Sequence, residues 1–323
     1  MAAPSVTTST WDDQVQTAFD QVAYFALRSQ PLFEMVADVR STAQTHNGSS
    51  VKFTFLADLG QATTALTENA DVTAQALTDS QVDVSLAEYG NAVITSAKLR
   101  GTSFLNVDAD AANIVGYNMA DSLDKIVSDV ANGSTDTNQI IYSGIGSGPG
   151  TSRGAITADD NYAASLGRQA VAKLRTANAP GWENGNYMAI IHPDVSYDFR
   201  ADVAVTDVIQ YQLYQDGAPI RAGSIGTFNG IEYIENPRAG LIADGGSGNV
   251  DVYQTLICGR QALAKAHSRA PGFGPEPSIV VGPVTDTLRR FNPIGWYHLV
   301  GYGIFREACM VRVEASSSIG ANS

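Results

Sequence analysis

The chain is short of charge. Of its 323 residues only 16% are Asp, Glu, Lys or Arg, against about 25% in ordinary soluble domains. Basic residues are the scarcer kind, 20 against 33 acidic, and the formal net charge is −13. That balance argues against a DNA- or RNA-binding protein, which needs a basic face to displace counterions. Cysteine is nearly absent: Cys258 and Cys309 stand alone, without a CxxC or a His/Cys cluster. A disulfide framework and a cysteine-rich zinc site are thereby excluded, and a reducing compartment is the natural setting. No apolar run approaches the roughly 20 residues of a membrane helix. The start, Met1 to Thr8, lacks the basic and apolar regions of a signal peptide. The reading is a cytosolic origin, in which the sequons at Asn47 and Asn132 are chance loop sequences.

What is present is a globular share of hydrophobic residues, 44%, which excludes wholesale disorder. Length sets a prior of about two domains. So few charges on so long a chain imply a compact globule, or a surface that meets something other than water.

Trp11, Val15, Phe19, Val22 and Ala23 recur at spacings of three and four, an amphipathic helix that Thr10 can cap and Pro31 ends. Its aromatic face packs on its own domain or docks on another subunit. Lys52 to Leu56 reads as a strand, and Val82 to Tyr89 alternates with period two, continuing through Val93 to Ser96. Between them, Gln61 to Gln81 is rich in Ala, Thr, Asp and Gln. A long two-stranded excursion of this kind is marginal alone in water, and the neighbouring sequence offers no cover for it.

Val115, Met119, Leu123, Ile126, Val127 and Val130 form one stripe along a helix from about Asp108 to Ala131. Asp108 and Asp110 suit the positive end of its dipole, and Asn132-Gly133 stops it. Gly144 to Gly150 is a glycine-rich connector. Without a Gly-Lys-Ser/Thr ending, and with Pro149 removing a donor, it is neither a P-loop nor a dinucleotide fingerprint. From residue 156 the pattern is α+β. A helix through Tyr162, Leu166, Ala170 and Leu174 opens at Asp159-Asp160. Met188 to Ile191 is a buried strand, and a helical turn follows near Tyr197 to Ala204. Asn229-Gly230 turns a hairpin, and Val252 to Ile257 is a further strand. The closing part, Ser278 to Val313, reads as long strands separated by Pro293-Ile294-Gly295-Trp296.

Candidate chemistry is thin. His46, His192, His267 and His298 are dispersed. His192 and Asp194 share a strand end, where catalytic groups often sit, and a soluble hydrolase using them is the alternative of a different class. No GxSxG, HExxH or calcium loop accompanies them, and the plainer reading is that Pro193 ends the strand and Asp194 caps the next helix. No catalytic, cofactor or metal residues are expected, and the chain is not read as an enzyme. The charge is uneven: residues 260–323 hold seven cations and four anions, so this end carries +3 and the remainder −16. Such complementary surfaces suit head-to-tail contacts between copies; local pairing of solvated charges is the other reading.

Three stretches carry a resemblance. They are Val84 to Ser96 with Glu88-Tyr89-Gly90-Asn91, then Ile191-His192-Pro193-Asp194 with the later Gly223 to Gly230, then Gly295-Trp296 with Gly301 and Val311 to Ser316. Together with the element order they make the chain similar to tailed-bacteriophage major capsid proteins of the Hong Kong 97-type fold, closest to the N4-type coat-protein family. The resemblance implies an α+β fold: an N-terminal arm over 1–50 and an extended β E-loop over 51–100, lying across a neighbouring subunit. It further implies a peripheral domain over 101–155 with a spine helix at 108–131, an axial domain over 156–270, and return strands over 271–323.

The implied function is self-assembly into hexamers and pentamers of an icosahedral shell enclosing double-stranded DNA without sequence-specific binding. The shell would be part of the virion, assembled in the host cytoplasm. Implied partners are the chain itself, a portal, and scaffolding or decoration proteins; no cofactor and no membrane are implied. An encapsulin-like nanocompartment shell is the related alternative. Trp11, Phe19, Phe53, Phe55, Glu88, Tyr89, Arg289 and Arg290 are the expected inter-subunit contacts. The covalent Lys–Asn cross-link of some relatives is not expected, because the E-loop span holds only Lys52 and Lys98, both near its base.

Overall fold

A computed structural model describes residues 32–40, 48–66, 68–69, 71–72, 74–103, 107–144, 148–182, 185–202, 227–268, 274–282, 287–288 and 290–319. The helix expected over 10–28, with Trp11 and Phe19, lies outside them, as do Arg289 and Gly223 to Gly226.

Two sheets and one long helix organise the chain. In the smaller sheet the central strand is β14 (Phe291–Ile304). It pairs antiparallel with β4 (Ala87–Ser96) along one side, and with β13 (Ser278–Val281) and β12 (Leu263–His267) along the other. Strand β1 (Ala37–Arg40) adds in parallel to β12. The larger sheet has eight strands. Its middle, β15 (Met310–Ala315), β11 (Val252–Cys258) and β7 (Tyr187–Ile191), is flanked by β5 (Ile140–Gly144) and β6 (Gly148–Gly150) on one side. On the other lie β9 (Ile231–Glu235) and β8 (Thr227–Phe228), while β10 (Gly240–Ile242) pairs with β11. Every residue of β11, β12 and β15 is buried, the polar Gln254, Thr255, Lys265, His267, Arg312 and Glu314 among them, so both faces of these strands are covered.

Helix α2 (Val107–Asn132) joins the two layers. Its first half packs Ala111, Val115 and Leu123 on Ile294, Trp296 and Val300 of β14, while Val127 and Ala131 enter the main core under the larger sheet. Twenty-six residues at about 1.5 Å each give about 39 Å, enough to span both sheets. Asp108 and Asp110 lie in its first turn as the dipole argument requires. A short helix, α1 (Ala97–Thr102), precedes it, capped by Ser96. Helices α3 (Ala164–Thr176) and α4 (Pro193–Ala201) cover the larger sheet, burying Leu166, Ala170, Leu174, Val195 and Phe199.

Four expectations are corrected. Pro293 to Trp296 does not separate strands but lies inside β14; the Pro293 carbonyl still accepts from Gly282 N–H at 2.9 Å, so the ring removes only a donor. Residues 87–96, inside the span expected for the E-loop, are a strand of the smaller sheet paired with β14 along their whole length. The helix expected to open at Asp159-Asp160 starts at Ala164. Asp160 is occupied by Thr157 N–H and Oγ1, and the Ala164 N–H donates to Asp202 instead, at 2.8 Å. Helix α4 is capped by the His192 ring rather than by Asp194. The Asn229-Gly230 hairpin is found, with φ of 53° and 80° as a type I′ turn demands.

Candidate assembly interface

Strands β2 (Ser50–Leu56) and β3 (Asp79–Ser85) form a separate two-stranded ribbon, in register from Ser50↔Ser85 to Leu56↔Asp79. The described residues of 57–78 between them contain no helix or strand. The ribbon is seated where β14 carries Gly301 and Gly303. A Cβ on Gly301 would lie 2.3 Å from the Ser85 carbonyl oxygen, and one on Gly303 would lie 2.9 Å from Val84. Only glycine lets the two backbones cross so closely. Val51 and Val84 fill the crossing with Ala266. Farther out, Phe53 stands edge-on to Phe305 at 5.6 Å, Phe55 meets the same ring at 4.5 Å, and the Arg306 guanidinium lies over Phe55.

This places the expected contact residues. Phe53 and Phe55 are half-buried against Phe305 of their own chain. Tyr89 is half-buried against the Trp296 cluster beneath α2, whereas Glu88 is exposed opposite Leu299. Arg290 is exposed beside α1: its carbonyl accepts from Ala97 N–H at 2.7 Å and its guanidinium lies over the Phe291 ring. The structure does not gather these residues into one patch.

The uncovered apolar surface lies elsewhere. Leu56, Leu59, Leu66, Val72 and Leu77, on and beside the excursion, are 55–77% exposed. A second group, Ile94, Ile279, Val280, Val281 and Phe291, is 40–64% exposed on β4, β13 and β14. Single exposed leucines are ordinary, but two concentrations of this size on one chain mark contact surfaces. The sequence signal for the first was available: three leucines in a stretch otherwise built of small and polar residues.

In the larger sheet a buried charge network ties β15 to the end of α2. Glu314, fully buried, accepts from Arg153 through two bonds of 2.7 Å and from Gln254 at 3.2 Å. Arg312, also buried, lies 2.9 Å from Glu314 and donates to the carbonyls of Asn132 and Ser134 at the helix C-terminus, where a cation is favoured. Burial alone would raise the Glu314 pKa; Arg153, Arg312 and Gln254 overcome it and hold the carboxyl below its usual range.

The His192–Asp194 pair forms the start of α4. His192 Nδ1 accepts the Asp194 N–H at 3.2 Å as the α4 cap, and the ring packs on Tyr253, whose hydroxyl donates to Asp194 at 2.9 Å. Burial lowers the His192 pKa despite the opposing pull of Asp194. Ser196, the nearest hydroxyl on the helix, donates to Glu235. Among the described residues no group of His, Cys, Asp and Glu is arranged to hold a metal, and no helix is long and apolar enough to cross a membrane.

Comparison with solved structures defines the class. The capsid of Ralstonia phage GP4 matches over 97% of this chain and 98% of its own, with a TM-score of 0.75 at 14% identity. The cyanophage Pam1 capsid matches over 98% and 100%, at 0.74 and 14%, and the head of Helicobacter pylori bacteriophage KHP40 over 98% and 99%, at 0.71 and 10%. The fold is therefore the Hong Kong 97-like capsid fold of tailed phages, an α+β architecture. Comparison with curated proteins gives no match. The family model for phage capsid protein matches residues 8–319, and the chain belongs to that family. It is a bacteriophage major capsid protein, a structural subunit that associates with copies of itself in the virion shell.

Proposed function

We propose that copies of this chain close into hexamers and pentamers of an icosahedral shell around the double-stranded DNA of a tailed phage, in the manner of the N4-type coat proteins. The observation that carries this reading is the ribbon with its excursion. Five large apolar side chains at 55–77% exposure extend from a folded body that offers them no cover, and neighbouring copies supply it. Heterologous contacts close into rings where the rotation closes, and arms that reach several neighbours add modest contacts through multivalency.

In this reading residues 1–50 are the arm, the ribbon and excursion at 50–85 are the E-loop, and α2 is the spine of the peripheral domain. The smaller sheet belongs to that domain and the larger sheet, with α3 and α4, to the axial domain. The chain then passes from one to the other late, between β14 and β15. Assembly takes place in the host cytoplasm, with a portal and a separate scaffolding protein as partners. A net charge of −13 fits a container that does not grip its DNA. Electron microscopy of the purified protein tests the proposal: closed particles of uniform size are expected, and a monodisperse monomer or dimer under all assembly conditions would overturn it.

A further inference from the structure

A buried polar cluster holds the segment that leads into β1. On β14, His298, Val300 and Tyr302 alternate and so share one face, and β12 sets His267 opposite Val300 and Lys265 opposite Tyr302. This is the face that α2 covers, since Val300 packs with Trp296 and Leu123. A 3₁₀ turn, Phe33–Val36, packs on α2 just before β1. From it the Glu34 carboxylate binds the Lys265 ammonium and accepts from the Tyr302 hydroxyl at 3.1 Å. Asp124 of α2, 1% exposed, holds the same turn by accepting the Phe33 N–H at 2.6 Å. His298 is 2% exposed and, among the described residues, its Nε2 has no hydrogen-bond partner. The charged and titratable groups around it are Lys265 and His267 on β12 and Glu34 on the turn. Tyr89 stands across from it on β4, and Tyr302 and Asp124 complete the cluster. A proton on His298 thus meets a cation and a second imidazole, while both carboxylates are committed, Glu34 to Lys265 and Asp124 to Phe33. Beside the turn a cleft of about 310 Å³, lined by Glu34, Met35, Ala120 and Asp124, gives water a way in.

We propose that acid unlatches residues 32–40: a proton on His298 sets a second buried cation beside Lys265, the Glu34–Lys265 bond yields, and the turn with β1 lifts off while both sheets stay folded. The sheets can stay because β1 is an edge strand whose described pairing is with β12 alone. The direction follows from the site. Burial first, then Lys265, lowers the His298 pKa to about 4, and in the opened form the ring returns toward about 6.5. The closed form is therefore favoured in full above that value, and opening gains up to about ten-fold per pH unit as the pH falls from about 6.5 to about 4. The latch acts within one subunit and does not depend on the shell reading.

Hydrogen exchange of the unassembled subunit tests it. With intrinsic rates divided out, the amides of 33–40 should exchange at least about ten-fold faster at about pH 4.5 than at about pH 7.5, while those of β11 and β15 stay protected. His298→Asn, which takes up no proton, should remove that rise at equal pH. Glu34→Gln should free the same amides already near neutral pH, because Lys265 loses its anionic partner. Protection lost from 33–40 and β11 together would mean global unfolding, and a rise that survives His298→Asn would belong to other groups; either result overturns the latch. Should His298→Asn fail to fold, the wild-type profile and Glu34→Gln decide. A flat wild-type profile, or unchanged exchange in Glu34→Gln, overturns it equally.

Discussion

Glu314 shows how much one side chain holds. It is buried on β15 with two arginines and a glutamine around it. Removing its charge strands Arg312, whose side chain is 5% exposed. Glu314→Gln should therefore cost about 3–5 kcal/mol, because an unpaired buried charge is far worse than none. Replacing Arg153, Arg312 and Glu314 together with Met, Met and Leu should cost much less. Denaturant unfolding of the unassembled subunit compares the two; equal losses would refute the network argument.

His298 makes a second prediction at this scale. Burial first, then the nearby Lys265, lowers its pKa to about 4. The folded state thus keeps the ring neutral while the unfolded chain binds a proton below about pH 6.5. The stability this ring contributes is complete above pH 6.5 and declines as the pH falls toward 4. At about 1.4 kcal/mol per pH unit the decline reaches about 3 kcal/mol. His298→Asn should flatten that part of a stability–pH curve measured by denaturant titration.

In the proposed shell the ribbon is the element that reaches neighbouring copies, and its direction is set at one crossing. Gly301→Val would put a side chain into the Ser85 carbonyl, where even a Cβ comes within 2.3 Å, and the ribbon must lift away. Phe305→Ala removes the ring that both Phe53 and Phe55 touch, at a cost of about 3 kcal/mol. Both variants should leave the two sheets folded but expose 57–78 to protease several-fold faster, and both should assemble poorly. Unchanged cleavage would mean that the crossing does not orient the ribbon.

Elements with strong local periodicity were legible in the chain: the α2 stripe, the Asn229-Gly230 hairpin, and the two ribbon strands. Pairing partners were not. Nothing local in Ala87 to Ser96 says that it runs beside Phe291 to Val300, some two hundred residues away. Gly90 and Gly295 look like turn signals until their cross-strand neighbours, Tyr297 and Ala92, are known. The helix caps at His192 and Asp202 were misread for a similar reason, since several polar residues could have served and tertiary contacts selected among them.

At the scale of the whole molecule, the charge deficit is explained by contact. In the proposed shell, a subunit whose exposed apolar excursion is covered by copies of itself needs fewer solvated charges than a free globule of its length. The acidic balance adds that nucleic acid is not the glue. Purified subunits should form particles equally well with and without DNA, and the ratio of absorbance at 260 to 280 nm in those particles should be that of protein alone. A strict requirement for DNA would contradict this.

The sequence by itself carried the chain's class through a resemblance, in the stretches at Val84 to Ser96, Ile191 to Asp194 and Gly295 to Ser316 taken with the element order, to the Hong Kong 97-type coat proteins. A long amphipathic helix, an uncovered β excursion, scarce charge and no catalytic motif follow from composition and periodicity, which are local properties. Tertiary structure alone decided where the surfaces lie. It turned Phe53, Phe55 and Tyr89 inward, left the leucines of the excursion bare, and placed Gly90, Ala92 and Gly295 side by side. Contact depends on which distant strands pair and in what register, and a one-residue slip would have sent each of those side chains to the other face.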